Sequence, residues 1–255
     1  MYDFNYSAYE PVNAVAGQAK LKVYLCPSVP RNSSGVTYTI PAALLSGVGL
    51  STADVSLTNA GAIDYVPTTR VREEFLNIAY NTNTYTEPLE GWGKGGLFNP
   101  VLGVFDEVPE GARIRDPTDG TSNTIMIGEM ASRNDLYRRG RRVTSTAPFD
   151  EAFFQSLVAG GAWVDPFGGN WELTGRPYDG GTGPQWFGPC AINCSNAKTH
   201  PHRALQDAAG LYSWHTGGAL VLLGDGSVHF LSENLSSAII AGLVTRSGNE
   251  TVGDF

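Results

Sequence analysis

The side chains best suited to chemistry lie late in the chain. Cys190-Ala191-Ile192-Asn193-Cys194 precedes His200-Pro201-His202, and thiolate with imidazole suits zinc. Structural zinc sites usually separate paired histidines by three to five residues, whereas here a single rigid proline intervenes, which disfavours joint chelation. A short-loop disulfide between Cys190 and Cys194, or a bridge from one of them to Cys26, suits an exported protein better. Further on, His215 is followed by nine residues and then Asp225-Gly226. With Ser122 or Ser227 these could be assembled into a Ser-His-Asp set, but no Gly-x-Ser-x-Gly elbow accompanies them. A turn accounts for Asp225, and His215 reads as a hydrogen-bonding residue tying a strand to a loop. The acidic turn residues Asp116, Asp119, Asn123, Asp179 and Asp225 offer oxygen ligands for calcium without the EF-hand spacing. Turn capping is the plainer role for them. There is no phosphate-cradling or dinucleotide glycine motif, so no nucleotide cofactor is expected.

The elements that must hold these residues are strands and turns. Two apolar, β-prone runs flank Asp225-Gly226, a strong hairpin signal. A two-residue turn there would set Leu223 opposite Val228 and Val221 opposite Phe230, with all four on one face. His215 lies upstream of that hairpin, beyond the Gly217-Gly218 bend. Further strands are expected at 21–25, 63–66, 124–128 and 160–166, the third of them after an Asp119-Gly120 turn and leading to Glu129. Helices are expected at 13–20 with Asn13 as cap, at 149–158, and at 236–245 with Gly248 as stop. Two long Gly-rich stretches, 72–111 and 168–189, read as loops.

Composition narrows the classes. The 255 residues include 31 Gly and 15 Pro with only 16% charged residues, which describes a turn-rich, β-rich chain. A formal charge of −8 repels a phosphate backbone, so nucleic acid is not an expected partner. Arg138, Arg139, Arg141 and Arg142 cluster around Gly140, either as a local anion or glycan site or as a solvated loop or intermolecular salt-bridge patch. There is neither an apolar run of about eighteen residues nor a visible signal peptide. Three cysteines do not force a disulfide framework.

The motifs together resemble a bacterial family of prepilin-like proteins, related to type IV pilins and type II secretion pseudopilins, whose C-terminal domain of unknown function (1559) is marked by His, nine residues, then Asp-Gly. His215 and Asp225-Gly226 match that spacing. Leu25-Cys26-Pro27-Ser28, Asp64-Tyr65-Val66, the run from Asp119-Gly120 through Asn123 to Glu129, and Cys190 through Asn196 are similar to the same family, in order, from about residue 20 to the end. Members typically begin with a prepilin leader and a long hydrophobic helix, a part this sequence does not contain. If that helix has been removed, the resemblance implies export, membrane anchoring through it and filament assembly; if it never existed, a surface or periplasmic relative.

The expected fold is α+β over 1–255 as a single domain, mainly antiparallel sheet with few short helices and long loops, like a pilin head. The resemblance implies a non-enzymatic structural or adhesive role, with self-association or other pilin-like subunits as partners, outside the cytoplasm. His215, Gly217, Gly218, Asp225, Gly226, Asp119, Gly120, Asn123 and Glu129 are expected to specify the fold. Trp92, Trp171, Trp186 and Phe187 in the long loops are candidate anchors, or else they cover the sheet. The rival readings are a glycan- or ligand-binding module, with or without calcium, and a hydrolase.

Overall fold

The computed structural model describes residues 1–31, 33–46, 51–92, 113–147, 150–158, 160–165, 168, 172–181, 186–198, 210–250, 252–253 and 255. In chain order the elements are α1 (Pro11–Gly17), β1 (Gly35–Ile40), α2 (Ala42–Ser46), β2 (Val55–Gly61), β3 (Tyr65–Pro67), β4 (Arg70–Val71), α3 (Glu73–Ala79) and β5 (Leu89–Glu90). There follow β6 (Ile125–Glu129), β7 (Leu136–Arg138), β8 (Arg141–Val143), α4 (Glu151–Val158), β9 (Glu172–Leu173), β10 (Gly218–Leu223), β11 (Val228–Ser232) and α5 (Ser237–Val244). The fold is α+β with mainly antiparallel pairing. Its largest sheet has the order β11-β10-β6-β3, and β1-β2, β5-β4-β9 and β7-β8 form smaller ones.

The largest apolar cluster sits between that sheet and two helices. Ile125 of β6, Ala219, Val221 and Leu223 of β10, and Leu231 of β11 meet Phe75 and Leu76 of α3 and Ile240, Leu243 and Val244 of α5. Each fully buried side chain of this size contributes about 1.5–3 kcal/mol, so β6 and β10 are held firmly in register. Helix α5 begins where Ser236 Oγ accepts the Ile239 N–H at 3.3 Å, satisfying one of the free donors of its first turn. A second cluster gathers Tyr38, Ile40, Leu45 and Leu57 around the β1-β2 hairpin.

The β10-β11 hairpin forms where expected, but its register differs by one residue. Leu222 pairs with Val228, Val221 with His229, and Leu220 with Phe230. The connection has three residues, Gly224-Asp225-Gly226, closed by Leu223 N–H donating to Ser227 O at 2.9 Å, with Gly226 at φ 89°. A one-residue slip moves a whole strand's side chains to the other face. Leu231 therefore turns inward, while Val228 and Phe230, expected beside Val221 and Leu223, are 64% and 48% exposed.

Other expectations also shift. Asn13 does not cap a helix: α1 starts at Pro11, whose fixed φ and missing N–H suit a first turn. The Asn13 side chain instead bonds the carbonyls of Asp3, Tyr6 and Ser7. Residues 21–25 contain a 3₁₀ turn, Lys22–Tyr24, in place of a strand. The 72–111 stretch contains α3, started by Glu73 and Glu74 at its positive end, and β5. Within 160–166, the described residues pair only through an isolated bridge from Ala162 to Ala62. Helix α4 and the strands near 63–66 and 124–128 lie within about two residues of their expected places.

Candidate functional site

Strand β10 separates His215 from Asp225. Its six residues, at about 3.3 Å each, place the two side chains at opposite ends of a strand roughly 20 Å long. Asp225 serves its own turn: Oδ1 accepts the backbone N–H and the hydroxyl of Ser227 at 2.8 and 2.7 Å. Those bonds, with one from Ser122, hold its carboxyl below the ordinary carboxylate value. His229 Nε2 lies 3.1 Å from the Ser227 hydroxyl in the same turn. The Ser-His-Asp set built from His215 and Asp225 is therefore not brought together.

Other residues surround His215. The segment Leu211–Tyr212 runs beside the end of β6: Tyr212 N–H donates to Glu129 O, and Ala131 N–H to Tyr212 O, both at 2.9 Å. This carries His215 to Glu129, the last residue of β6, whose side chain is fully buried. Glu129 Oε2 accepts the Leu220 N–H at 3.2 Å, and Oε1 lies 3.9 Å from His215 Nε2. That second oxygen has no hydrogen-bond partner among the described residues.

The Cys26 loop closes over the same point. Buried Asp64, immediately before β3, accepts the Cys26 N–H at 2.8 Å and the Ser132 N–H at 3.2 Å and pairs with Arg31. Cys26 Sγ then lies 3.6 Å from His215 Nε2, while Ser28 Oγ is 3.2 Å from the imidazole's Nδ1. One oxygen of Glu129, the sulfur of Cys26 and one nitrogen of His215 all lie within 4.8 Å of one another. Burial, then the neighbouring Glu129 carboxylate, pushes the Cys26 thiol up to about 11. Burial and the same neighbours raise the Tyr65 hydroxyl above its ordinary value. A cysteine nucleophile needs its thiol lowered and its base oriented by a third group on the other ring nitrogen. Here the Ser28 hydroxyl stands at Nδ1, but the thiol is raised and shares Nε2 with the buried carboxylate. Acid–base chemistry is poorly served by this arrangement; convergence of S, N and O on one point is what a cation site requires.

The remaining candidates hold backbone or one another. Asp119 accepts the N–H groups of Gly248 and Asn249, Asn123 donates to Asp119 O, and Asp116 accepts from Arg113 N–H. Gly120 supplies the φ of 94° that starts the 3₁₀ turn Thr121–Asn123. Asp179 accepts the Gly181 N–H. Asp116, Asp119, Asp179 and Asp225 thus each give at least one oxygen to a backbone donor, and the Cys26, Glu129 and His215 group is the one that gathers three potential ligands among the described residues. Gly217 takes φ 83° before β10, and a Cβ on Gly218 would lie 2.1 Å from Leu231 O.

Cys190 and Cys194 form a disulfide, and Cys26 is a free, buried thiol. The disulfide loop presents Asn193 Oδ1 to the Ser213 N–H at 2.8 Å, fixing the approach to His215. The arginines belong to a hairpin, with Arg139 at φ 47° and Gly140 at φ 73° as its turn. Arg138 pairs with buried Glu151, Arg142 with exposed Asp135, and Arg139 Nε donates to Tyr178 O; Arg141 is exposed. Trp92 is 7% exposed, its ring against Gly224. Trp186 and Phe187 are half-buried, with the Arg176 guanidinium 5.9 Å from the Trp186 ring centre. Trp171, His200 and His202 lie outside the described residues. A groove beside His215 is lined by Arg139, Asn193, Trp214 and Glu233.

Cys26 and its convergence with Glu129 and His215 were not legible as a site in the sequence. The signal was present: each of the three lies in a separate conspicuous motif.

An α+β chain in which Cys26, Glu129 and His215, one from each of three separate motifs, meet at one end of a four-stranded sheet defines the class. The chain belongs to the family described as Protein of unknown function (DUF1559), whose model matches residues 1–237. No curated protein and no solved structure matches it. No helix among the described residues is long and apolar enough to cross a membrane.

Proposed function

We propose that this chain is a non-enzymatic structural domain, the globular head of a pilin- or pseudopilin-like protein that acts in filament or cell-surface assembly. The observation carrying this reading is the use made of the motif side chains. Asp64, Asp119 and Asp225 each bind nearby or distant backbone N–H groups, and Asn193, in the wall of the groove, does the same through its Oδ1. Asn196 does the same, accepting from Tyr137 N–H and donating to Ala131 O. These are the residues of a head built to hold its shape.

Two features support assembly outside the cytoplasm. The Cys190–Cys194 disulfide suits an oxidising compartment. Strand β11 is at the edge of its sheet, with Val228 and Phe230 exposed, and such an edge is a template for pairing with another chain. Sedimentation velocity and negative-stain microscopy over a range of concentrations test the reading. Association that weakens in Phe230→Lys is expected; a chain that stays monomeric throughout and is never incorporated into a filament counts against it.

The groove beside Trp214 favours one second reading, an extracellular glycan- or ligand-binding module, because it sets aromatic and polar groups side by side. Glycan-array binding that disappears in Trp214→Ala would move the assignment to that reading.

A further inference from the structure

We propose that Cys26, Glu129 and His215 form a zinc site with three protein ligands and a fourth position facing the groove beside Trp214. The donor set is thiolate, carboxylate and imidazole, all three of which are zinc ligands. Zn–S near 2.3 Å and Zn–N near 2.0–2.1 Å at tetrahedral angles place sulfur and nitrogen about 3.6 Å apart. Cys26 Sγ and His215 Nε2 are 3.6 Å apart. The same geometry puts nitrogen and carboxylate oxygen about 3.4 Å apart, so Glu129 Oε1, now 3.9 Å from the nitrogen and within 4.8 Å of the sulfur, would move inward on binding.

Two observations beyond the cluster itself point to a cation. Glu129 is fully buried, and its Oε1 has no partner at hydrogen-bond distance; the nearest groups facing it are the weakly donating Cys26 thiol and His215 Nε2. A buried carboxylate oxygen left in that condition is costly unless a positive charge or donor meets it. The second is the support behind the histidine. Ser28 Oγ lies 3.2 Å from Nδ1, so Nδ1–H donating to that hydroxyl leaves the Nε2 lone pair directed at the cluster, as metal-bound histidines require. The Cys26 N–H bond to Asp64 fixes the sulfur's loop in the same way.

The charges also balance. A thiolate and a carboxylate carry two negative charges, and a neutral imidazole adds none, so Zn²⁺ neutralises the set on releasing one proton from the thiol. His215 is 26% exposed and lines the groove, which gives the fourth position a path to water or to a small ligand. An ion here would link three stretches far apart in sequence: the Cys26 loop, the end of β6 and the approach to β10.

Metal-free protein with its disulfide intact tests the site. Cobalt(II) titration should saturate at one equivalent with a sulfur-to-cobalt charge-transfer band, and zinc should abolish the band and raise the melting temperature. Glu129→Gln should weaken zinc by more than about tenfold, the cost of losing even an outer-shell partner. Cys26→Ser should lose the charge-transfer band. Folded wild-type protein that gives no such band, or a band that survives in Cys26→Ser, would overturn the assignment, and neither result depends on a variant failing to fold.

Discussion

The carboxylate of Asp64 accepts the backbone N–H of Cys26 at 2.8 Å. The same group takes the Ser132 N–H and the Arg31 guanidinium, so one buried side chain fastens the Cys26 loop to the end of the β3-β6 pair where β3 begins and β6 stops. Removing it leaves buried donors and a cation without their acceptor. Asp64→Ala should cost about 3 kcal/mol in urea denaturation, toward the low end for a broken buried pair because Arg31 is partly exposed. A loss under about 1 kcal/mol would show that the loop is held by other means.

The hairpin register makes opposite predictions for adjacent residues. Leu231 is fully buried and Phe230 is not. Leu231→Ala should therefore destabilise by about 2–5 kcal/mol, and Phe230→Ser, which gives up only about half the burial of a phenylalanine, by about 1 kcal/mol. Equal effects at the two positions would contradict the three-residue loop.

That register shows where sequence reasoning stopped. Asp225-Gly226 announced a hairpin, but two- and three-residue loops both end on a glycine with positive φ, and the choice was made by the flanking contacts. Val221, Leu223 and Leu231 reach the α3-α5 core together only when Ser227 opposes Leu223. Helix α3 was missed because its seven residues present only Phe75 and Leu76 as buried apolar contacts, too few for a periodic signal. At the candidate site, the individual motifs were visible and the overall α+β class was legible. The meeting of Cys26 with Glu129 and His215 was not, because it depends on the path of Leu211–Tyr212 along β6 and on Asp64 holding the Cys26 loop. Neither is a local property.

Asp225 predicts a contribution to acid stability. Its folded carboxyl lies below the ordinary 3.8, chiefly through the Ser227 hydroxyl. The unfolded state thus binds the proton more readily, so this contribution is fully present above the unfolded value and is lost as pH falls through the folded one. Asp225→Asn should flatten the part of the stability curve just below pH 4, and Ser227→Ala should flatten it less. Unchanged slopes in both variants would remove Asp225 from the account.

Reducing the disulfide should loosen the approach to His215. Cys190 and Cys194 are four residues apart, and closing so short a loop is worth about 2 kcal/mol on a chain-entropy estimate. Asn193, within that loop, holds the Ser213 N–H. Hydrogen exchange at Ser213 and His215 should accelerate on reduction before the β10-β11 amides are affected. Simultaneous acceleration at all of these sites would mean that the loop is not a separate unit.

The claim that the motif residues fix backbone and do not catalyse is tested most directly at His215. Equilibrium denaturation of metal-free His215→Ala should show a midpoint lowered by the equivalent of about 1–2 kcal/mol, the cost of losing the Ser28 bond and the packing against Cys26. An unchanged midpoint, accompanied by the loss of an enzymatic activity that the wild-type chain displays, would contradict the account.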